Sequence, residues 1–146
     1  MYAICALYKF TRLDDFEDIQ APLKSFLDTL SVKGTLLLAR EGINGTISGG
    51  KDSVEKVLDY LQTDDRFLEL EYKFSYSKKP PFKRLKVKLK KEIVTMGLSE
   101  VDPNHSVGTY IKPKDWNNLI NDPDVILIDT RNNYEYEIGS FKGAIN

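Results

Sequence analysis

The apolar residues in the first two-thirds of the chain change period repeatedly, and the order of those changes constrains the fold more than any single motif. Ala3 to Phe10 is apolar nearly throughout, with Lys9 its only charge, as expected of a central strand covered on both faces or nearly so. Phe16, Ile19, Leu23, Phe26, Leu27 and Leu30 then recur at spacings of three and four, the spacing of one helix face. Pro22 interrupts this run. A proline inside a helix lacks the amide hydrogen and clashes with the preceding turn, so the pattern predicts a short turn over 14 to 19 and the main helix from about Ala21. Gly34 to Arg40 and Ile43 to Ser48 read as a β-hairpin turning at Glu41-Gly42. After Gly49-Gly50, residues 51 to 61 place Val54, Val57, Leu58 and Leu61 on one helical stripe. Asp52 and Glu55 lie early in that helix, where its dipole favours them. Leu68, Leu70, Tyr72, Phe74 and Tyr76 alternate with mostly polar neighbours, which predicts a half-buried strand over 68 to 76.

Strand, helix, strand, strand, helix, strand is the split βαβ unit of ferredoxin-like folds. Pro80-Pro81 ends the fourth strand, and Arg84 to Lys90 begins a fifth with strict alternation. The expected class is α/β in the α+β sense: a ferredoxin-like βαββαβ domain over 1–95 with an extra basic strand. Thr95 to Gly108 contains Gly97, Pro103 and Gly108 and little periodicity, so 96–112 reads as a linker. From 113 a second domain begins. Pro113 to Ile120 suggests a short helix with proline in its first turn, and Asp122-Pro123 a bend. Val125 to Ile128 then reads as a buried strand delivering Asp129, Thr130 and Arg131 to a sheet edge. A helical turn begun near Asn133 and bends at Gly139 and Gly143 complete the pattern.

Composition removes some classes of function. The chain has 146 residues and a net charge of −1, but Asp14 to Asp18 is acidic and Lys78 to Lys91 strongly basic, so local charge carries the information. A lone cysteine, Cys5, excludes an intramolecular disulfide framework and any multi-cysteine metal site. It falls inside an apolar strand, where thiols act as small hydrophobes. His105 has no partners at metal-ligand spacing, and no metal or cofactor site is read from the residues. The first residues are apolar for too short a span to cross a membrane and lack a signal peptide's features. A cytoplasmic protein with no membrane partner is the expectation.

Three groups of residues could carry chemistry. Arg84, Lys86, Lys88 and Lys90 share one face of the fifth strand because strand side chains alternate, and Lys78, Lys79 and Lys83 extend the patch. Tyr76 and Phe82 are candidate stacking surfaces for unpaired bases. The alternative is that these lysines guard an exposed sheet edge against pairing with another chain. Second, the tip Arg40-Glu41-Gly42-Ile43-Asn44-Gly45 offers a guanidinium fork and glycines that let a backbone approach a ligand. The same glycines are equally at home in a turn that only needs positive φ. Third, Asp129, Arg131 and Glu135 stand where a strand gives way to a helix, the usual place for a site in α/β sheets. A carboxylate beside an arginine is also an ordinary ion pair.

Two of these groups carry a resemblance. The run D-x-R-N-x-x-E-Y-E-x-G-x-F-x-G-A from Asp129 to Ala144 closely resembles the first signature of the rhodanese domain. Taken with A-R-E-G-I-N-G-T from Ala39 to Thr46, the chain resembles the rhodanese-domain-containing tRNA uridine 5-hydroxylase family (TrhO) over nearly its whole length. That resemblance implies a tRNA partner rather than DNA, oxygen-dependent hydroxylation of the wobble uridine, and molecular oxygen as co-substrate. It implies a longer parent, with 113–146 the truncated start of a rhodanese-like domain whose nucleophilic cysteine lies downstream. Asp129, Arg131 and Glu135 then line a site without completing it. Arg40, Asn44, Lys83, Arg84, Lys86, Lys88 and Lys90 are the tRNA-binding candidates that follow. Ser140 departs from the signature, which often places His there. The rhodanese signature alone implies a persulfide-carrying sulfurtransferase instead, and the basic strand alone a non-catalytic RNA-binding adaptor. An acylphosphatase is disfavoured because Thr11-Arg12-Leu13, after the first strand, lacks a glycine-rich phosphate cradle.

Overall fold

The computed structural model of the chain describes residues 1–94 and 108–146. These fall into two units, the second being Gly108–Asn146. Gly97, Pro103 and His105 lie outside the described residues.

The first unit is one antiparallel-based sheet covered on one side by two helices. Its elements are β1 (Tyr2–Phe10), α1 (Phe16–Thr29), β2 (Lys33–Ala39), β3 (Gly42–Gly49), α2 (Lys51–Leu61), β4 (Glu71–Ser77) and β5 (Leu85–Leu89). The strand order is β4-β1-β3-β2-β5, with β5 parallel to β2 and the other pairings antiparallel. The core lies between sheet and helices: Ala3, Cys5 and Leu7 of β1, Leu36 and Leu38 of β2, and Ile43 and Ile47 of β3 meet Leu23 and Leu27 of α1 and Val54, Val57 and Leu58 of α2. This is the ferredoxin-type architecture expected from the order of periods, with the basic strand added at one edge.

Three details differ from the reading of the sequence. α1 runs unbroken from Phe16 through Pro22 to Thr29, instead of starting near Ala21. Leu23 and Leu27 are fully buried, and Phe16, Ile19 and Phe26 pack against the same core. A continuous apolar face therefore outweighs the one backbone hydrogen bond that Pro22 removes. β1 is covered on one face only: Ala3, Cys5 and Leu7 are buried while Ala6 between them is exposed. Apolar side chains on the open face disguise an ordinary two-residue alternation. Finally, β4 starts at Glu71, because a single 3-10 turn, Asp65–Phe67, precedes it, and the Asp64 carboxylate caps that turn by accepting from the Arg66 amide.

In the second unit a 3-10 turn, Pro113–Asp115, leads into α3 (Trp116–Ile120), and α4 spans Asn133–Ile138. Val125 to Ile128 forms no strand; its only ladder contact among the described residues is an isolated parallel bridge between Ile128 and Ile145. Ile126 is 74% and Ile128 62% exposed. An apolar run becomes a buried strand only where neighbours cover it, and the described residues supply none. The expectation of a buried strand is therefore corrected.

Candidate nucleic-acid interface

β5 forms a sheet edge, and its register against β2 sorts its side chains. Leu85, Val87 and Leu89 lie opposite Gly34, Leu36 and Leu38, on the helix side; Lys86 and Lys88 lie opposite Thr35 and Leu37, on the open side. Beyond the strand, the Arg84 carbonyl accepts from the Gly34 amide at 3.0 Å and the Lys90 amide donates to the Leu38 carbonyl at 2.8 Å, which carries the ladder past both ends. The Gln20 side-chain amide donates to the Val87 carbonyl at 2.8 Å and ties α1 to the same strand. Lys83, Arg84, Lys86, Lys88 and Lys90 are all exposed, and none enters an ion pair among the described residues. An unneutralised row of cations suits a phosphate backbone.

Phe82 is half-buried close to this row in sequence, but Tyr76 belongs elsewhere. It stands on β4, at the opposite edge of the sheet and paired with Ala3, so it cannot flank the basic strand. Pairing does bring other cations to the open side: Lys73 lies beside Ala6, and Lys33 beside Ser48. A linear reading does not collect them because β1 and β3 intervene between β4 and β2. Their only signal is the alternation of each strand taken together with the strand order.

The hairpin tip between β2 and β3 is tightly engaged. Arg40 pairs with Asp14 at 2.7 Å, and Arg12 approaches the same carboxylate at 2.8 Å. These guanidinium hydrogen bonds, Arg12 first and Arg40 second, hold Asp14 below the usual carboxylate range. The Ile93 amide donates to Glu41 Oε1 at 2.6 Å, and Asn44 Nδ2 donates to the Ile93 carbonyl at 2.9 Å. Both polar side chains thus clasp the backbone of one residue in the segment leaving β5, and Ile93 is buried there. Gly42 has φ +142°, and a Cβ on it would stand 2.0 Å from the Lys9 carbonyl oxygen. The amides of Thr11 and Leu13 donate to the Glu41 and Arg40 carbonyls at 3.0 and 2.8 Å. Two amides of the loop where a phosphate cradle would have to sit are therefore already used.

In the second unit, Asp129 and Arg131 come together. Arg131 donates through Nη2 to Asp129 Oδ2 at 2.7 Å and through Nε to Oδ1 at 3.0 Å, and Ser140 Oγ donates to Oδ2 at 2.6 Å. The Arg131 hydrogen bond, followed by that of Ser140, pulls the Asp129 pKa far below its ordinary value. Arg131 also donates to the Gly139 carbonyl at 2.7 Å. The pair borders a cleft of about 670 Å³ walled by Trp116, Leu127, Phe141 and Ala144. Glu135 is not part of that wall: its carboxylate turns back to accept from the Asn132 amide and side chain at the start of α4. Cys5 is fully buried in the first unit, where burial pushes its pKa up to about 11, so it cannot serve as a nucleophile at neutral pH. No cluster of metal-ligating side chains occurs among the described residues. No helix among them is long and apolar enough to cross a membrane.

The strand order and one-sided helix layer define the first unit as an acylphosphatase-like, ferredoxin-type α+β domain. The chain belongs to the UPF0176 family: the model of the UPF0176 acylphosphatase-like domain matches residues 2–93. Solved structures are similar in fold only. BlsA in its photo-activated state aligns at 18% identity and TM-score 0.51, over 63% of this chain and 71% of that one. Klebsiella pneumoniae BlrP1, in a manganese and cyclic-diGMP complex, aligns at 15% and 0.51, over 62% and 24%. HypF in its phosphate- and nucleotide-bound form aligns at 12% and 0.50, over 63% and 12%. The chain thus spans less than a quarter of BlrP1 and about an eighth of HypF.

Proposed function

We propose that this chain serves a tRNA-modifying oxidoreductase, one that hydroxylates the wobble uridine of tRNA at carbon 5 with molecular oxygen, and that its first unit holds the RNA. Family membership supports the enzyme class, since this is the family of a tRNA hydroxylase. The observation that carries RNA binding is the row of exposed cations Lys83, Arg84, Lys86, Lys88 and Lys90 along one sheet edge, none of them ion-paired among the described residues. Lysines within the strand serve edge protection, but this row continues beyond both ends of β5, where Lys83, Arg84 and Lys90 stand outside the strand edge to be guarded. Asp129 and Arg131 contribute a preformed polar corner beside the cleft of the second unit, to which a rhodanese-like domain would add its cysteine loop. Arg40 keeps a role in RNA positioning only through Asp14, which it holds, whereas Asn44 both holds Ile93 and stands on the open side of the sheet.

Replacing Lys86 and Lys88 by Glu tests the reading. Neither side chain is in the core, so folding is preserved, while tRNA affinity falls steeply and the salt slope shrinks by about one unit for each phosphate no longer bound. Unchanged affinity at low salt rejects it. The Asp129–Arg131 corner favours a second reading, a rhodanese-type sulfurtransferase; assays of the full-length protein with thiosulfate, and with tRNA and oxygen, separate the two. A binding adaptor predicts chemically unchanged tRNA in the same assay.

A further inference from the structure

On the side of the sheet turned away from α1 and α2, Ala6 is exposed, while Ser48 and Ile93, whose carbonyl Asn44 holds, are buried. Two rows cross this side from edge to edge. One runs Lys73, Ala6, Thr46, Thr35, Lys86, and the next runs Glu71, Tyr8, Asn44, Leu37, Lys88. Ala6, on an inner strand, is exposed, and its short side chain leaves a depression of about 360 Å³ bordered by Tyr8, Asn44, Thr46, Glu71 and Lys73. Tyr8 is held in place, because its hydroxyl donates to Glu71 Oε2 at 2.6 Å and the Phe10 ring meets it edge-on at 6.3 Å and 72°. Each row ends in a lysine of β5, Lys86 or Lys88, and the first also begins in one, Lys73 of β4. Four strand spacings, roughly 19 Å, separate those edges, a span that a few nucleotides of an extended strand cover.

We propose that this depression receives an unpaired base of single-stranded RNA. The base lies over Ala6 and stacks on Tyr8, with its polar edge toward Asn44 and Thr46. The backbone runs across the rows from Lys73 to Lys86 and Lys88. Charge favours this occupant, since four lysines, Lys33, Lys73, Lys86 and Lys88, stand on this side of the strands against the one carboxylate that borders the depression, Glu71, which keeps its charge while accepting from Tyr8. A duplex keeps its bases inside and offers nothing to a shallow depression with an aromatic wall, whereas an unstacked base offers its π-face. The inference rests on the RNA-binding reading above and names its contact surface.

The test uses the whole chain and fluorescence anisotropy with a labelled single-stranded oligoribonucleotide, the corresponding duplex, and heparin as a non-base polyanion. Ala6→Leu fills the depression from an exposed position and leaves every charge in place; far-UV circular dichroism and thermal melting verify that the fold is intact. The expected result is a roughly tenfold loss of single-strand affinity, with duplex and heparin binding unchanged. Tyr8→Leu gives the same loss. If Ala6→Leu binds the single strand like the unaltered chain while Lys86→Glu with Lys88→Glu does not, the base site is wrong and the basic-edge reading stands. If the unaltered chain binds duplex and heparin as well as the single strand, the base site is also wrong. If the unaltered chain binds no RNA at low salt, both fail.

Discussion

Gly45 leaves no room for even one more carbon: a Cβ there would stand 2.2 Å from the Thr35 carbonyl oxygen. Gly45→Ala must push β2 and β3 apart, and a loss of roughly 1–3 kcal/mol in urea unfolding is expected. Glu41 is a second fixed point. Its carboxylate accepts the Ile93 amide, so Glu41→Ala costs about 1.5–3 kcal/mol and releases the segment after β5, which amide exchange at Ile93 and Val94 will register. The ion pairs give a pH dependence of definite sign. Hydrogen bonds from Arg12 and Arg40 lower Asp14, and those from Arg66 lower Asp15 and Asp64, all from an ordinary 3.8. A depressed folded-state pKa means that the stabilisation is fully present above the unfolded value and is lost as pH falls through the folded one. Melting temperature should hold steady down to about pH 4 and drop below it, and Arg66→Gln should flatten that drop. At this scale the sequence names residue types without their partners. The tip motif is visible in it, but Asn44 and Ile93 are 49 positions apart and nothing local announces their hydrogen bond.

Elements are more legible where one period runs without interference. α2 occupies the same residues, 51 to 61, that its apolar stripe marks out, and β5 follows its own alternation. The start of α1 is illegible because the proline rule is local, whereas the burial that overrides it is a tertiary gain. Since a mid-helix proline costs about 3 kcal/mol and the freer unfolded chain takes back about 0.4–1 kcal/mol, Pro22→Ala should raise stability by about 2 kcal/mol in urea unfolding. The open face of β1 is hidden for the converse reason: the half-buried Ile4 and the exposed Ala6 are both apolar, so that face leaves no polar mark in the sequence. The basic row itself is fully readable, yet the strand order that separates it from Tyr76 and aligns it with Lys73 is not.

At the scale of the whole molecule the two units differ in what covers them. The first has a closed layer of helices over one side of its sheet, while the second exposes Ile126, Ile128, Ile138, Phe141 and Ile145 around a single bridge. Amide protection after Asp122 should therefore fall well short of that in β1 and β3; equal protection would show that something besides the described residues stabilises the second unit. The apolar character of those residues is legible, but whether they are covered is not, because coverage depends on neighbours that no local pattern specifies. The β2–β3 turn carries a further consequence. Hairpin tips are ordinarily where a protein accepts inserted residues, epitope tags or new termini. This one holds Asp14 through Arg40, Thr11 and Leu13 through its carbonyls, and Ile93 through Glu41 and Asn44. A single residue inserted between Arg40 and Gly42 would put both partner segments, 11–14 and the one around Ile93, out of register at once. The shortest turn of the sheet is then its least editable position, and relatives that vary in length should do so in the β4–β5 connection.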